Sequence, residues 1–302
     1  VTFLVVGESI VDLIGAPGTW RFTAVAGGSP MNVAVALAAL GRPVRFAGEA
    51  GADFFGDLLR GHLEAYGVGS GELAEAPATS LAFARIGEDG SASYDFRFQW
   101  RLRAPIPLEG VSCLHTGSLA ALVAPGGEHV RALMRAASEA GITVSYDPNV
   151  RPSLLGDHAE AVALVEECVR ACDLVKVSAE DLAWLYPGEP GLRVARRWAD
   201  WRGGRPVVVT RGAEGAAAVA GDALITCPAP RVRVADTVGA GDTFTAAYLS
   251  VLAGAEPTPE RVAEALRYGC AAAGVACTRA GAVPPAPGEI AELLPSLAAT
   301  VA

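Results

Sequence analysis

The chain alternates between short apolar runs that suit buried strands and longer segments whose apolar residues recur at helical spacing. Residues 3–7 (Phe-Leu-Val-Val-Gly) read as a buried strand, and residues 31–40 as a helix stopped by Gly41. Residues 44–47 predict a second strand, and 53–66 an amphipathic helix stopped by Gly67. Further apolar strands are expected at 143–146, 174–177 and 207–210, separated by helices at 129–140, 159–172 and 192–201. Residues 231–235 alternate charged and apolar side chains as a strand does. An apolar helical run over 243–253 comes next, ending at Gly254 as a C-cap. Residues 259–276 predict one more helix, and the Pro-rich 283–287 a loop before a last short one. Alternation of this kind predicts one α/β domain spanning 1–302, with a mostly parallel sheet between two helical layers. One segment interrupts it. In residues 81–98, Leu81, Phe83 and Arg85 alternate with small residues, Glu88-Asp89-Gly90 supplies a turn, and Tyr94, Phe96 and Phe98 alternate again, which predicts a β-hairpin.

Composition narrows the class. With 302 residues, 51% of them hydrophobic, the chain can fill a sizeable core. No apolar run reaches bilayer length, and Val1-Thr-Phe-Leu-Val-Val-Gly-Glu has neither the basic start nor the cleavage site of a signal peptide, so a cytoplasmic location is expected. The net charge of −9 argues against nucleic-acid or anionic-membrane partners. Six cysteines form no Cys-x-x-Cys pair and lie near no histidine cluster, which points to buried thiols rather than zinc or disulfides. Among 24 basic residues Lys176 is the only lysine, and lysine differs from arginine in shape and hydration.

The segment with most chemistry is Asp236-Thr-Val-Gly-Ala-Gly-Asp-Thr-Phe244. It places Gly239, Ala240 and Gly241 where a strand is expected to meet a helix. The first amides of a helix have no partner inside it, and its dipole is positive there, so such a turn holds an anion that glycine lets approach closely. Asp242 beside that turn has two readings. It takes a proton from an attacking hydroxyl in phosphoryl transfer, or it caps the helix.

This segment resembles the Asp-Thr-x-Gly-Ala-Gly-Asp signature of the ribokinase-like carbohydrate kinases, the phosphofructokinase-B family, at every fixed position. A second signature, a Gly-Gly turn followed by Asn and a small-residue helix, is matched by Gly27-Gly28-Ser-Pro-Met-Asn32-Val-Ala-Val-Ala-Leu-Ala-Ala-Leu-Gly41, and Gly51-Ala-Asp53-Phe-Phe-Gly56 continues it. Two motifs roughly 200 residues apart in the family's order are far more specific than a lone glycine loop. The resemblance implies a three-layer ribokinase-like fold with a small β-lid at approximately 80–100, the hairpin being the lid, which closes to exclude water that competes with the sugar hydroxyl.

It also implies the site. Asp12 would meet sugar hydroxyls, with Gly27, Gly28 and Asn32 lining the same pocket. Asp147-Pro-Asn149-Val-Arg151 looks like the Asp-x-Asn-x-Arg segment of the fructokinase and 2-keto-3-deoxygluconate kinase branches, where Asn149 and Arg151 reach sugar oxygens, or Arg151 a carboxylate or phosphate. The nucleotide side would use Lys176, Ser178, Thr210, Gly212 and Gly215. Much of the family has Asn-x-x-Glu where this chain has Ser178 and Asp181, with Glu180 adjacent, so either Asp181 or Glu180 would organise Mg2+ through water. Asp236 would help bind a monovalent cation such as K+. The implied activity is transfer of the γ-phosphate of Mg-ATP to a sugar hydroxyl, with Asp242 as base and the amides of Gly239, Ala240 and Gly241 as the anion cradle. Fructose is the first acceptor. The alternative is 2-keto-3-deoxygluconate, whose carboxylate would meet Arg151 or Arg97, and a different class is a sugar-binding regulatory protein without turnover. A homodimer through the lid is expected if the hairpin exposes an apolar face.

Overall fold

Phe3 and Val5 of strand β1 (Phe3–Val6) join one hydrophobic core while Leu4 and Val6 join another, and all four are buried. A strand apolar on both faces must lie between two layers, and period-two alternation sends its side chains to each. The computed structural model describes residues 1–16, 19–86, 92–102 and 105–302. After β1 come β2 (Ile10–Gly15), β3 (Phe22–Gly27), α1 (Ser29–Ala39), β4 (Val44–Gly51), α2 (Phe54–Ala65), β5 (Gly69–Ala76), β6 (Leu81–Ile86), β7 (Ala92–Arg97) and β8 (Cys113–Gly117). The chain continues through α3 (Gly126–Glu139), β9 (Thr143–Asp147), α4 (His158–Arg170), β10 (Leu174–Ser178), α5 (Ala179–Leu185), α6 (Gly191–Asp200) and β11 (Val207–Thr210). It ends with β12 (Ala216–Ala220), β13 (Ala223–Cys227), α7 (Ala240–Leu252), α8 (Pro259–Ala276), α9 (Pro287–Leu293) and β14 (Thr300–Val301).

Ten strands form one sheet in the order β14-β13-β12-β11-β10-β9-β8-β1-β4-β5. From β5 to β11 the pairing is parallel, and β12, β13 and β14 add an antiparallel edge. One face is covered by α1, α2, α7, α8 and α9, the other by α3, α4, α5 and α6. On the first face β12 reads Ala-Ala-Ala-Val-Ala, and α8 contributes glycine where a neighbour comes close. A Cβ on Gly269 would meet the Phe244 ring at 2.8 Å, and one on Gly274 would meet Pro230 at 2.3 Å. The carboxyl ends of β1, β8, β9, β10 and β11 all open on one edge of the sheet, where ligands bind in folds of this kind.

A four-stranded sheet, β3-β2-β6-β7, stands beside that edge. The expected hairpin is present, with Leu81 opposite Arg97 and Phe83 opposite Asp95, while its turn at Glu88-Asp89-Gly90 and the side chains of Arg85 and Tyr94 lie outside the described residues. The hairpin is only half of this sheet. Strand β1 stops at Val6 and a new strand, β2, starts at Ile10, so Asp12 is a residue of the smaller sheet. Alternation alone does not reveal that change of sheet, because the apolar residues of β1 and β2 form nearly one run.

The expected helices are present within a few residues of their sequence bounds, and Gly41, Gly67 and Gly254 take positive φ just beyond three of them. The strand at 44–47 runs on to Gly51. Residues 231–235, in contrast, form no strand. Pro228 and Pro230 withhold backbone donors after β13, and the segment crosses α8 instead, with Ala235 N donating to Cys277 O at 2.8 Å. Strands β5, β8, β12, β13 and β14 and helix α5 carry no clear pattern in the sequence and emerge only in the fold. All six cysteines are free thiols. No helix among the described residues is long and apolar enough to cross a membrane.

Asp53 ties α2 to the loop between β5 and β6. Its Oδ1 accepts from Gly56 N at 2.8 Å as the helix N-cap and from Thr79 Oγ1 at 2.7 Å, and its Oδ2 accepts from Thr79 N at 2.9 Å. Losing a cap together with two contacts to Thr79 is expected to cost about 2 kcal/mol in Asp53→Ala, read as a lower midpoint in urea unfolding.

Candidate active site

Gly239 has φ 74° and a Cβ on it would lie 2.5 Å from Ala282 Cβ, so glycine alone turns the chain into α7 here. The junction joins a loop to a helix, not a strand to a helix, since 231–235 is not a strand. Asp242 is the third residue of α7 and is 9% exposed. Its Oδ1 accepts from Ser29 Oγ at 2.6 Å and its Oδ2 from Asn32 Nδ2 at 2.8 Å, both on α1. The helix-cap reading is thereby answered: the capping position is Gly239, and the carboxylate is spent on a neighbouring helix. Of the amides expected to face an anion, that of Ala240 donates to Thr237 O at 3.2 Å.

Two cavities of about 660 Å3 flank this turn, and Thr237 and Gly241 line both. The first, the cavity expected to take the sugar, gathers Asp12, Gly28, Asn32, Asn149, Arg151, Lys176, Gly239, Gly241 and Asp242 from separate stretches of chain. The smaller sheet closes its far side through Asp12, Ala82, Ala84 and Phe96. Gly27 stands behind this wall. A Cβ there would come within 2.4 Å of Asp12 Oδ2, so its bareness gives the carboxylate room. Gly28, at φ 104°, has Glu8 O 2.5 Å from where a Cβ would sit. Two non-glycine residues of the cavity, Ser118 at φ 53° and Asn149 at φ 37°, hold left-handed backbone, a strain that concentrates at functional sites.

The second cavity is lined by Glu180, Thr210, Gly212, Gly215 and Ala240 with Phe244 and residues of α8. Lys176, Ser178, Asp181 and Asp236, also singled out in the sequence, do not line it. Lys176 lies in the wall of the first cavity, its Nζ donating to Asp147 Oδ2 at 2.8 Å. Ser178 caps α5, accepting from Asp181 N at 2.9 Å. Asp181 answers through Oδ2 with Ser178 N at 3.4 Å, while its Oδ1 accepts from Val150 N at 2.9 Å. Asp236 accepts from Val238 N at 3.1 Å and Gly281 N at 2.8 Å, pinning the two loops beside α7. Arg97 pairs with Asp95 at 2.9 Å and lines neither cavity.

The wall of the first cavity sets three carboxylates, Glu8, Asp12 and Asp242, against two cations, Arg151 and Lys176. Burial pushes the Glu8 carboxyl up to about 7 and the Asp12 carboxyl up to about 6, the latter with Asp242 adding to the rise and Arg151 opposing it. Burial also raises Asp147 and Asp181. Asp236 behaves oppositely: desolvation favours its neutral form, but backbone N–H groups of Gly281, Val238 and Thr237 hold it below the usual range. Sequence reasoning assigns no role to Glu8, Ser29, Ser118 or Asp147. Glu8 is the most findable of these, since it is a carboxylate at the end of a fully apolar strand and reaches Ala120 N at 3.1 Å.

Known proteins resemble this chain over most of its length. Residues 2–288 match the family described as pfkB family carbohydrate kinase. A fructokinase of Rhizobium leguminosarum bv. trifolii is 35% identical over 256 residues, covering 82% of this chain and 78% of the relative. The crystal structure of a fructokinase with bound ATP from Xylella fastidiosa superposes with a TM-score of 0.87 at 29% identity, covering 98% of each chain. A double mutant of the fructokinase of Vibrio cholerae O395, in a form with fructose, ADP and potassium ion bound, gives 0.84 at 28% identity over 97% of this chain and 98% of that one.

The Asp12 shift predicts a pH dependence. A carboxyl whose folded pKa exceeds its unfolded one favours the fold at low pH, and that contribution is lost as pH rises from about 4 through about 6. By linkage the loss is about 3 kcal/mol. Asp12→Asn removes it, so the variant should gain stability over the parent at pH 7.5 and lose that advantage at pH 4.5, read from urea unfolding at both.

Proposed function

The chain belongs to the pfkB family of carbohydrate kinases, and from that membership we propose that it is a fructokinase, moving the γ-phosphate of ATP to a hydroxyl of fructose. The observation that carries the reading is Asp242, held by Ser29 and Asn32 at the turn where the two cavities meet. Acceptor and donor enter from opposite sides of the turn, and its carboxylate, Asp242, faces the acceptor cavity. The acceptor oxygen attacks the γ-phosphorus, its proton passes to Asp242, and the bond to the β-phosphate oxygen breaks to release ADP. The amides of Gly239, Gly241 and Asp242 stabilise the charge on the transferring group, with the dipole of α7 in the same sense.

Fructose suits the acidic cavity because it is neutral and rich in hydroxyls. Asp12 accepts hydrogen bonds from them, and Asn32, Asn149 and Arg151 supply donors. A carboxylate-bearing acceptor such as 2-keto-3-deoxygluconate would face Glu8, Asp12 and Asp242 with Arg151 as its partner, since Arg97 is engaged elsewhere. The four-stranded sheet is assigned the role of lid, bringing Phe96 and Ala84 over the acceptor to exclude water.

No group of three or more metal-binding side chains occurs among the described residues. This fits Mg2+, which draws most ligands from phosphates and water and needs few carboxylates. Glu180, in the wall of the nucleotide cavity, would hold its water shell, whereas both oxygens of Asp181 already accept backbone N–H groups. The ion supplies positive charge at the phosphate oxygens when bound. Each oxygen of Asp236 accepts one backbone N–H and keeps a lone pair, which fits a monovalent cation held beside the α7 turn. On the lid, Trp20 and Phe22 are exposed outside the acceptor cavity, and we assign this apolar edge to a second copy of the chain. Light scattering should read the mass of two chains; the mass of one chain would remove the assignment.

The activity is tested by ADP release from Mg-ATP with fructose, ribose, 2-keto-3-deoxygluconate, adenosine or fructose 1-phosphate. Turnover should be highest with fructose, and Asp242→Asn should lower kcat by about 10³-fold while fructose still binds. Preference for 2-keto-3-deoxygluconate would transfer the reading to that branch. Saturable sugar binding without turnover would make the chain a regulatory protein.

A further inference from the structure

The one lysine of the chain has no part in the phosphoryl transfer described above. Lys176 lies on β10, only 6% exposed, with Nζ donating to Asp147 Oδ2 at 2.8 Å. A Cβ on Gly241 would lie 3.3 Å from Nζ, which places the ammonium against the first turn of α7. Desolvation opposes its charge, but Asp147, Asp181 and Asp242 outweigh that and raise its pKa, so it is an ammonium. Thr245 Oγ1 also donates to Asp147 Oδ2, at 3.5 Å, and Asp147 Oδ1 is buried with no partner.

As scaffolding this arrangement is a poor choice. A buried ion pair gains little over an apolar pair of similar volume, and a cation at a helix N-terminus stands at the unfavourable end of the dipole. Everywhere else the chain uses arginine for its basic residues. An ammonium is compact and offers three rotatable donors, of which Asp147 takes one, whereas arginine's donors are fixed in a planar fork. Both features have a reason if the cation meets an anion that comes and goes.

We propose that Lys176 binds the phosphoryl group as it passes from nucleotide to acceptor, with Asp147 as the counter-ion that holds the ammonium at that point. The proposal rests on the kinase reading and adds to its amide cradle a side-chain charge. While the acceptor oxygen–phosphorus bond forms and the bond to ADP breaks, the acceptor's proton goes to Asp242 and Lys176 keeps all three of its own. Ammonium and amides thus share the developing negative charge.

The test compares Lys176→Met with the double variant Lys176→Met/Asp147→Asn, which leaves no unpaired buried charge and carries the experiment if the single variant does not fold. Both are expected to lose about 10²-fold or more in kcat with KM for fructose changed by about 3-fold or less. Both should bind ADP like the parent, yet bind ADP with aluminium fluoride, a mimic of the transferring group, at least ~10-fold more weakly. Lys176→Arg should not restore either quantity. A double variant that recovers the parent's kcat, or its affinity for ADP with aluminium fluoride, would show the lysine to be structural and overturn the proposal. The fluoride measurement needs no acceptor, so absence of fructose turnover in the parent would sink the fructokinase reading while leaving this one decided.

Discussion

The contact between α1 and α7 is the constraint on which the site depends. Asp242 receives hydrogen bonds from Ser29 and Asn32, residues 213 and 210 positions earlier in the chain. The helices come close enough because both are built largely from Ala, Val, Ser and Thr, with Gly241 in the first turn of α7. Hydrogen bonds to an ionised acceptor are short and strong, so they fix the carboxylate's orientation as well as its position. The same approach sets the turn at Gly239 between two cavities, with Thr237 and Gly241 as a shared wall. Moving α7 by the width of one larger side chain would take Asp242 away from Ser29 and Asn32 and part the two cavities from their shared turn.

Electrostatics then distinguishes the two sides of that wall. On the acceptor side Glu8, Asp12, Asp147 and Asp242 meet two cations, Arg151 and Lys176. Desolvation raises the pKa values of Glu8, Asp12 and Asp147, and such a surplus of carboxylates rewards a ligand that donates hydrogen bonds without bringing negative charge. The walls of the other cavity are small and mostly apolar apart from Glu180, Thr210, Arg231 and Thr237, which in the proposed reading leaves the phosphates of a nucleotide to amides and helix dipole. The parallel sheet makes this division possible, because it delivers β1, β8, β9, β10 and β11 to one edge with their carboxyl ends aligned.

Sequence patterns locate most helices and several strands of the parallel sheet, because each carries a strong local signal: an apolar run, a helical stripe, or a glycine of positive φ such as Gly41 or Gly67. They fail where the pattern is ambiguous or weak. The smaller sheet is half legible, since β6 and β7 alternate clearly while β2 continues the apolar run of β1 after a short break at Gly7. Residues 231–235 alternate as a strand does but have no edge to pair with, and the prolines before them send the chain across α8. Strand β12 is illegible because alanine carries little strand propensity; it is a strand by virtue of its partners β11 and β13.

The sequence by itself determined the chemistry available to this protein. It holds a glycine turn followed by Asp242, a Gly-Gly turn followed by Asn32, an Asp-Pro-Asn-Val-Arg segment, and a lone lysine, all legible because motif and composition are local properties. Only the tertiary structure decided what each group does with its neighbours. It gave Asp242 to Ser29 and Asn32 rather than to a cap, spent both oxygens of Asp181 on backbone amides, and lifted Asp12 onto the smaller sheet. It also buried Lys176 beside Asp147 and Gly241. Hydrogen bonding and charge act over a few ångströms of space without regard to sequence separation, so the partners of a polar group are settled only when the chain has folded.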